Sequence, residues 1–134
     1  MNVRNLFRLF SVIHMIGGLI WLLAPKAMPA SYGMDIDAYT AFLFQQLGAI
    51  NIAIAVLYFL VSGIAHSPAR QAVVTFAIVL QTLSAIAYIP ALLSGVIPGT
   101  TGWFGIAFSL VAALAFGYFR FIRPEASVTP GLQS

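Results

Sequence analysis

Four stretches, residues 6–24, 39–65, 69–93 and 103–122, are almost entirely apolar, and any charged side chain in them lies near an end. Each is long enough to cross a hydrocarbon layer of about 30 Å as a helix rising 1.5 Å per residue. Inside lipid no water is present to satisfy the backbone, so a spanning segment must pair its own N–H and C=O groups or close into a barrel. Barrel strands alternate polar and apolar residues over about 10 positions, and these stretches do not. The predicted fold is therefore all-α: an integral membrane bundle of four antiparallel helices, occupying residues 1–125 as one domain. Residues 126–134 are small and polar and read as a disordered tail.

Composition closes off the soluble alternatives. Only 7% of the residues are charged and 61% are hydrophobic, against roughly 25% charged in a soluble domain. The net charge of +3 is six basic residues, scattered along the chain, against three acidic ones. That is an orientation signal and not a nucleic-acid surface. Cysteine is absent, which excludes disulfides, thiolate metal sites and cysteine nucleophiles.

Punctuation between the stretches follows helix-terminus chemistry. Pro25 and Pro29 should stop the first helix. Asp35 and Asp37 precede the second, where a carboxylate suits the positive end of the helix dipole. Ser67-Pro68 reads as an N-cap followed by the first helical residue of the third. Pro90 should kink that helix or end it early, and Thr100 or Thr101 could cap the fourth. Arg4, Arg8, Arg70, Arg120 and Arg123 fall on one side of this arrangement. Lys26 falls on the other, with Asp35 and Asp37 beside it. The positive-inside rule then places both termini in the cytoplasm. Arg4, Arg8 and the apolar run after them resemble a signal peptide, but the length of the run and His14 at its middle favour a retained helix. Trp21, Tyr39, Trp103, Phe104, Tyr118, Phe119 and Phe121 cluster near the ends, as an aromatic belt does.

Polar residues at membrane depth carry the functional argument, because each is costly there. His14, Asn51, Gln81 and Ser109 lie near the middles of their four stretches, so a bundle would bring them to one layer. Trp21, Gln45 and Tyr88 lie roughly 9–11 Å outward of that layer at the helical rise. His14, Gly17, Gly18 and Trp21 share a helical face, as do Gln81, Ser84 and Tyr88, while Gln45, Gly48 and Asn51 follow one stripe. Two readings remain open. In the first, these residues line a pocket for a lipophilic molecule: His14, Asn51, Gln81 and Tyr88 supply acid–base or polarising groups, and Trp21, Gln45, Ser84 and Ser109 supply contacts. In the second, they hydrogen-bond between helices for stability alone, at about 0.6–2 kcal/mol each. A metal held by this chain is not expected, since His14 has no second histidine or carboxylate at its depth. A haem with one axial histidine, or a quinone, stays open as a cofactor. Gly105, Ser109, Ala113 and Gly117 recur every fourth residue and form a small-residue ridge, suited to packing within the bundle or against a second copy or another membrane partner.

One resemblance adds to this. Gly17-Gly18, the run Leu22-Leu23-Ala24-Pro25-Lys26, Tyr32-Gly33 and Gln46-Leu47-Gly48-Ala49 are similar to the corresponding stretches of the DoxX-like four-helix bacterial membrane proteins, over about residues 6–60. The resemblance implies a four-helix membrane fold and, as for some members, a link to quinone-dependent oxidoreductase systems. The arginine that relatives often carry before the second-helix glycine is absent here, with Gln46 nearby, and no catalytic residue carries over. The Glu-Arg motif of the glutathione-using four-helix membrane enzymes is also missing. Three functions follow as expectations. The first is a binder of a lipophilic small molecule or an accessory subunit of a membrane redox system. The second is an intramembrane isomerase or cyclase. The third is a structural partner protein.

Overall fold

The computed structural model describes residues 2–122, and every regular element among them is helical. The elements are α1 (Val3–Leu23), a short α2 (Ala27–Ser31), α3 (Ala38–Ser62), α4 (Pro68–Leu93) and α5 (Gly99–Gly117), which widens at its end into a π-helical turn over Tyr118–Ile122. The spans Val3–Leu23, Ala38–Ser62, Pro68–Leu93 and Gly99–Ile122 are long and apolar enough to cross a bilayer. Large apolar side chains such as Leu93, Val111 and Leu114 point outward from them. A water-soluble protein would bury these, so the chain has the build of an integral membrane protein. The 126–134 segment and Arg123 lie outside the described residues.

Helix ends show where capping decides the boundary. Asn2 accepts from the backbone N–H of Asn5 and starts α1 three residues before the apolar run begins. Asp37 accepts from the Thr40 N–H at 2.7 Å, and Ser67 from the Arg70 N–H with Pro68 following it, as the sequence requires. Three details differ from the sequence expectation. Pro29 does not merely interrupt the chain; it sits buried inside α2, a one-turn helix in the first connection. Pro90 does not stop α4, which continues to Leu93, because one missing N–H near a helix end removes a single bond. Neither Thr100 nor Thr101 caps α5; the helix begins at Gly99 after Pro98, and both threonines fall in its first turn.

The chain divides into two compact units, one covering Met1–Gly63 and one beginning at Ile64. In the first, α1 and α3 lie along each other, and their contacts pair rising numbers on one helix with falling numbers on the other. Phe7 meets Tyr58, Ser11 meets Ala55, His14 meets Asn51, Gly18 meets Gly48, and Leu22 meets Gln45. The steps of three and four residues are those of a helical seam. At its tightest point, a Cβ on Gly48 would lie 2.6 Å from the Leu22 nitrogen and one on Gly18 would lie 2.8 Å from the Gly48 oxygen. Only glycine lets the two backbones come this close.

In the second unit α4 packs on α5. The buried stripe of α4 runs Arg70, Val74, Ala77, Gln81, Ala85, and that of α5 runs Gly102, Gly105, Ser109, Ala112, Phe116. The Tyr88 ring lies over Gly105, where a Cβ would come within 2.5 Å of it. The buried stripe of α5 therefore departs from the every-fourth-residue ridge after Ser109. Four residues turn an α-helix by about 400°, so the ridge drifts by about 40° per step, while alternating steps of three and four stay on one face.

Candidate functional site

A polar side chain on a membrane helix must find a partner or a ligand, so the site is best built by following each hydrogen bond. Asn51 fixes the first. Its Nδ2 donates to the Leu47 carbonyl of its own helix at 2.9 Å. The amide cannot be turned round without setting two acceptors against each other, so Oδ1 is the atom that faces α1. That oxygen lies 2.7 Å from His14 Nδ1. An amide oxygen only accepts, hence His14 Nδ1 carries the ring N–H. Asn51 thereby fixes both the orientation and the tautomer of the imidazole. The ring is further held by aromatic neighbours. Tyr58 meets it edge-on with centroids 5.6 Å apart, and Phe10 lies 6.4 Å away.

The other expected site residues of the first unit play different parts. Gln45 Nε2 donates to the Leu22 carbonyl at 3.3 Å, one of the last carbonyls of α1 and so without a partner in its own helix. Gln45 thus closes the end of α1 from the neighbouring helix. Trp21 Nε1 donates to the Met28 sulfur at 3.3 Å, and its indole packs edge-on to Phe44 at 5.8 Å. This ties the C-terminal end of α1 to α2.

In the second unit, Gln81 is buried between Ala77 and Ala85, and Ser109 is buried on α5. Ser84 Oγ donates back to the Leu80 carbonyl at 2.9 Å, a local bond available to any helical serine. Tyr88 seats its ring on Gly105. Of the ridge residues, Gly105 and Ser109 are buried while Ala113 and Gly117 are half-buried. The structure thus joins His14 to Asn51 directly, and it places Gln81, Ser84, Tyr88 and Ser109 in the other compact unit.

Two residues of the site were not singled out by the sequence. Tyr58 is fully buried against His14 and Phe7; its position seven residues after Asn51, on the same face, was the available signal. Ser11, three residues before His14, donates across the seam to the Ala55 carbonyl at 2.8 Å. Among the described residues no group of histidine, cysteine, aspartate and glutamate is arranged to hold a metal ion.

The hairpin of α1 and α3 has two unlike flanks. On one, Ser11, Val12, Met15, Ile16, Ala55, Val56 and Phe59 line an almost entirely apolar groove of about 260 Å³. Successive helical residues turn by about 100°. Val12, Met15 and Ile16 are therefore about 100–160° round α1 from His14, and the polar pair sits on the flank away from the groove. Comparison with protein-family models, curated proteins and solved structures finds no match.

Proposed function

We propose that this chain is a bacterial inner-membrane protein of four helices alternating in direction, with both termini cytoplasmic, that binds a lipophilic small molecule at His14, either alone or as an accessory subunit of a membrane redox system. The observation that carries the binding reading is the 2.7 Å bond between His14 Nδ1 and Asn51. Asn51, reaching across from the neighbouring helix, fixes the imidazole in one tautomer, which pre-organises its other nitrogen for a ligand. Helix glue alone would need only the bond. The five arginines on one side of the apolar stretches and the single lysine on the other support the orientation. The resemblance to the DoxX-like proteins supports the redox setting, with a quinone as one candidate ligand.

The same constraint also favours a second reading, an intramembrane isomerase or cyclase in which His14 moves a proton on an apolar substrate, since a general base must be held in position to act. Native mass spectrometry of the protein released from its own membrane in mild detergent tests both. A reproducible extra mass, lost in His14→Ala with the helical content intact, is the expected result. An apo mass in both proteins would refute the binding reading.

A further inference from the structure

The chemistry of the ligand depends on the proposed binding role of His14, and the surroundings of that ring narrow it. With its single ring N–H donated to Asn51, a neutral His14 has only a lone pair at Nε2. No carboxylate shares the described span of α1 or α3 to compensate an imidazolium charge there. Among the described residues no polar atom bonds to Nε2. The nitrogen is thus an unanswered acceptor and calls for a donor.

Space lies on the same flank of α1. Gly17 is one turn outward on the same flank, and a Cβ built on it would meet nothing within 4 Å. Its neighbour Gly18 could not be more different, being pressed against Gly48. One turn beyond Gly17, on nearly the same azimuth as His14, stands Trp21, held in place by Met28 and Phe44. His14 and Trp21 are seven residues apart, about 10 Å along the helix. On the helix surface between these two residues Gly17 contributes only a hydrogen, and the space a side chain would fill is open, which leaves a notch.

We infer that the notch over Gly17, between His14 and Trp21, receives a flat, lipophilic ring bearing a hydroxyl group, with the hydroxyl donating to His14 Nε2. A phenol embedded in an alkyl-chain molecule has this chemistry: a donor for the nitrogen, a π face for the indole, and a tail for the lipid. A ligand with only carbonyl or ether oxygens, an oxidised quinone included, would bring an acceptor to an acceptor, so the donor rule narrows the candidates of the proposed function.

The probes are a long-chain 4-alkylphenol and its methyl ether, which differ in the donor alone. Each is titrated into the full-length protein in nanodiscs of fixed lipid composition. Binding is read as the saturable change in Trp21 fluorescence, in a Trp103→Phe background that leaves a single indole. One neutral hydrogen bond should separate the two probes by about tenfold in Kd. His14→Phe, which keeps a ring and removes the acceptor, should make them equal. Gly17→Leu fills the notch without touching the helix seam and should abolish saturable binding of both. Equal binding of phenol and ether to the unaltered protein, lost in Gly17→Leu, would overturn the donor rule while leaving a ligand site at His14. Saturable binding that survives Gly17→Leu, or no saturable binding of either probe, would overturn the notch; in the second case, a ligand mass that still depends on His14 would preserve the broader binding reading.

Discussion

Gly17 and Gly18 are adjacent in sequence and should respond oppositely to the same substitution. A Cβ on Gly18 would stand 2.8 Å from both the Gly48 oxygen and the Ile52 Cγ1, and 3.0 Å from the Ile52 nitrogen. Non-bonded heavy atoms are comfortable at about 3.5–4.0 Å, so α1 and α3 must separate by roughly 0.7–1 Å. Overpacking of this kind costs about 1–3 kcal/mol. The same displacement stretches the 2.7 Å bond from His14 to Asn51 beyond the useful range of about 3.2 Å, at a further cost of about 0.6–1.7 kcal/mol. Alanine recovers up to about 1 kcal/mol of helix propensity. The net for Gly18→Ala is a loss of about 1–4 kcal/mol. At Gly17 only the propensity gain applies, because the new methyl meets nothing within 4 Å. Reversible unfolding in mixed micelles, followed by far-UV circular dichroism as the denaturing detergent fraction rises, measures both. Indistinguishable stabilities for Gly17→Ala and Gly18→Ala would refute the argued seam.

Other consequences are equally open to measurement. Nitrogen-15 NMR of labelled His14 should show a pyrrole-type Nδ1 and a pyridine-type Nε2, and Asn51→Leu should remove the preference; the reverse assignment would contradict the hydrogen-bond pattern. Gly105→Leu should destabilise the second unit by about 1–3 kcal/mol because the side chain must displace the Tyr88 ring, and wild-type stability in that variant would show that the ring does not rest there. Thr40, through its hydroxyl and then its backbone N–H, holds the Asp37 carboxyl below the usual range. A depressed folded-state pKa contributes stability above the unfolded value of about 3.9, lost as pH falls through the lower folded value. Asp37→Asn should therefore flatten the pH dependence in the acid range, and an unchanged acid profile would argue against the cap. Because the chain has no cysteine, single cysteines report topology cleanly: Gly33→Cys and Ser94→Cys should react with an impermeant maleimide from outside intact cells, and His66→Cys only after permeabilisation.

The four spans were legible in the sequence because lipid imposes a coarse requirement, about 20 apolar residues without interior charge, and Asp37 and Ser67 marked starts by chemistry that acts within three residues. The start of α1 was missed because its cap, Asn2, lay outside the apolar run; Pro29 entered a short helix of the connection, and Pro90 was accommodated inside α4, which ends at Leu93 with its apolar run. Within the candidate site, His14 and Asn51, which the sequence places at one depth, share a hydrogen bond. Depth says nothing about azimuth at the resolution of one residue, though, and that is what separates Gly17 from Gly18. It also could not reveal that Gln45 and Ser84 have backbone carbonyls as partners. The small ridge on α5 looked continuous because a four-residue repeat is simple to see in a string. On a helix with 3.6 residues per turn it spirals away from the buried face.

The division after Gly63 has a consequence for how the protein is made. Every stabilising contact traced along the first seam, from Phe7–Tyr58 to Leu22–Gln45, joins residues of Met1–Gly63. A ribosome releasing the chain from its N-terminus therefore delivers a segment that holds both sides of that seam before α4 has been synthesised. The His14–Asn51 pair can form while the second half is still being translated, so these two polar groups need not wait unpaired for later helices. A gene cut between the codons for Gly63 and Ile64, expressed as two open reading frames, would preserve this order of assembly.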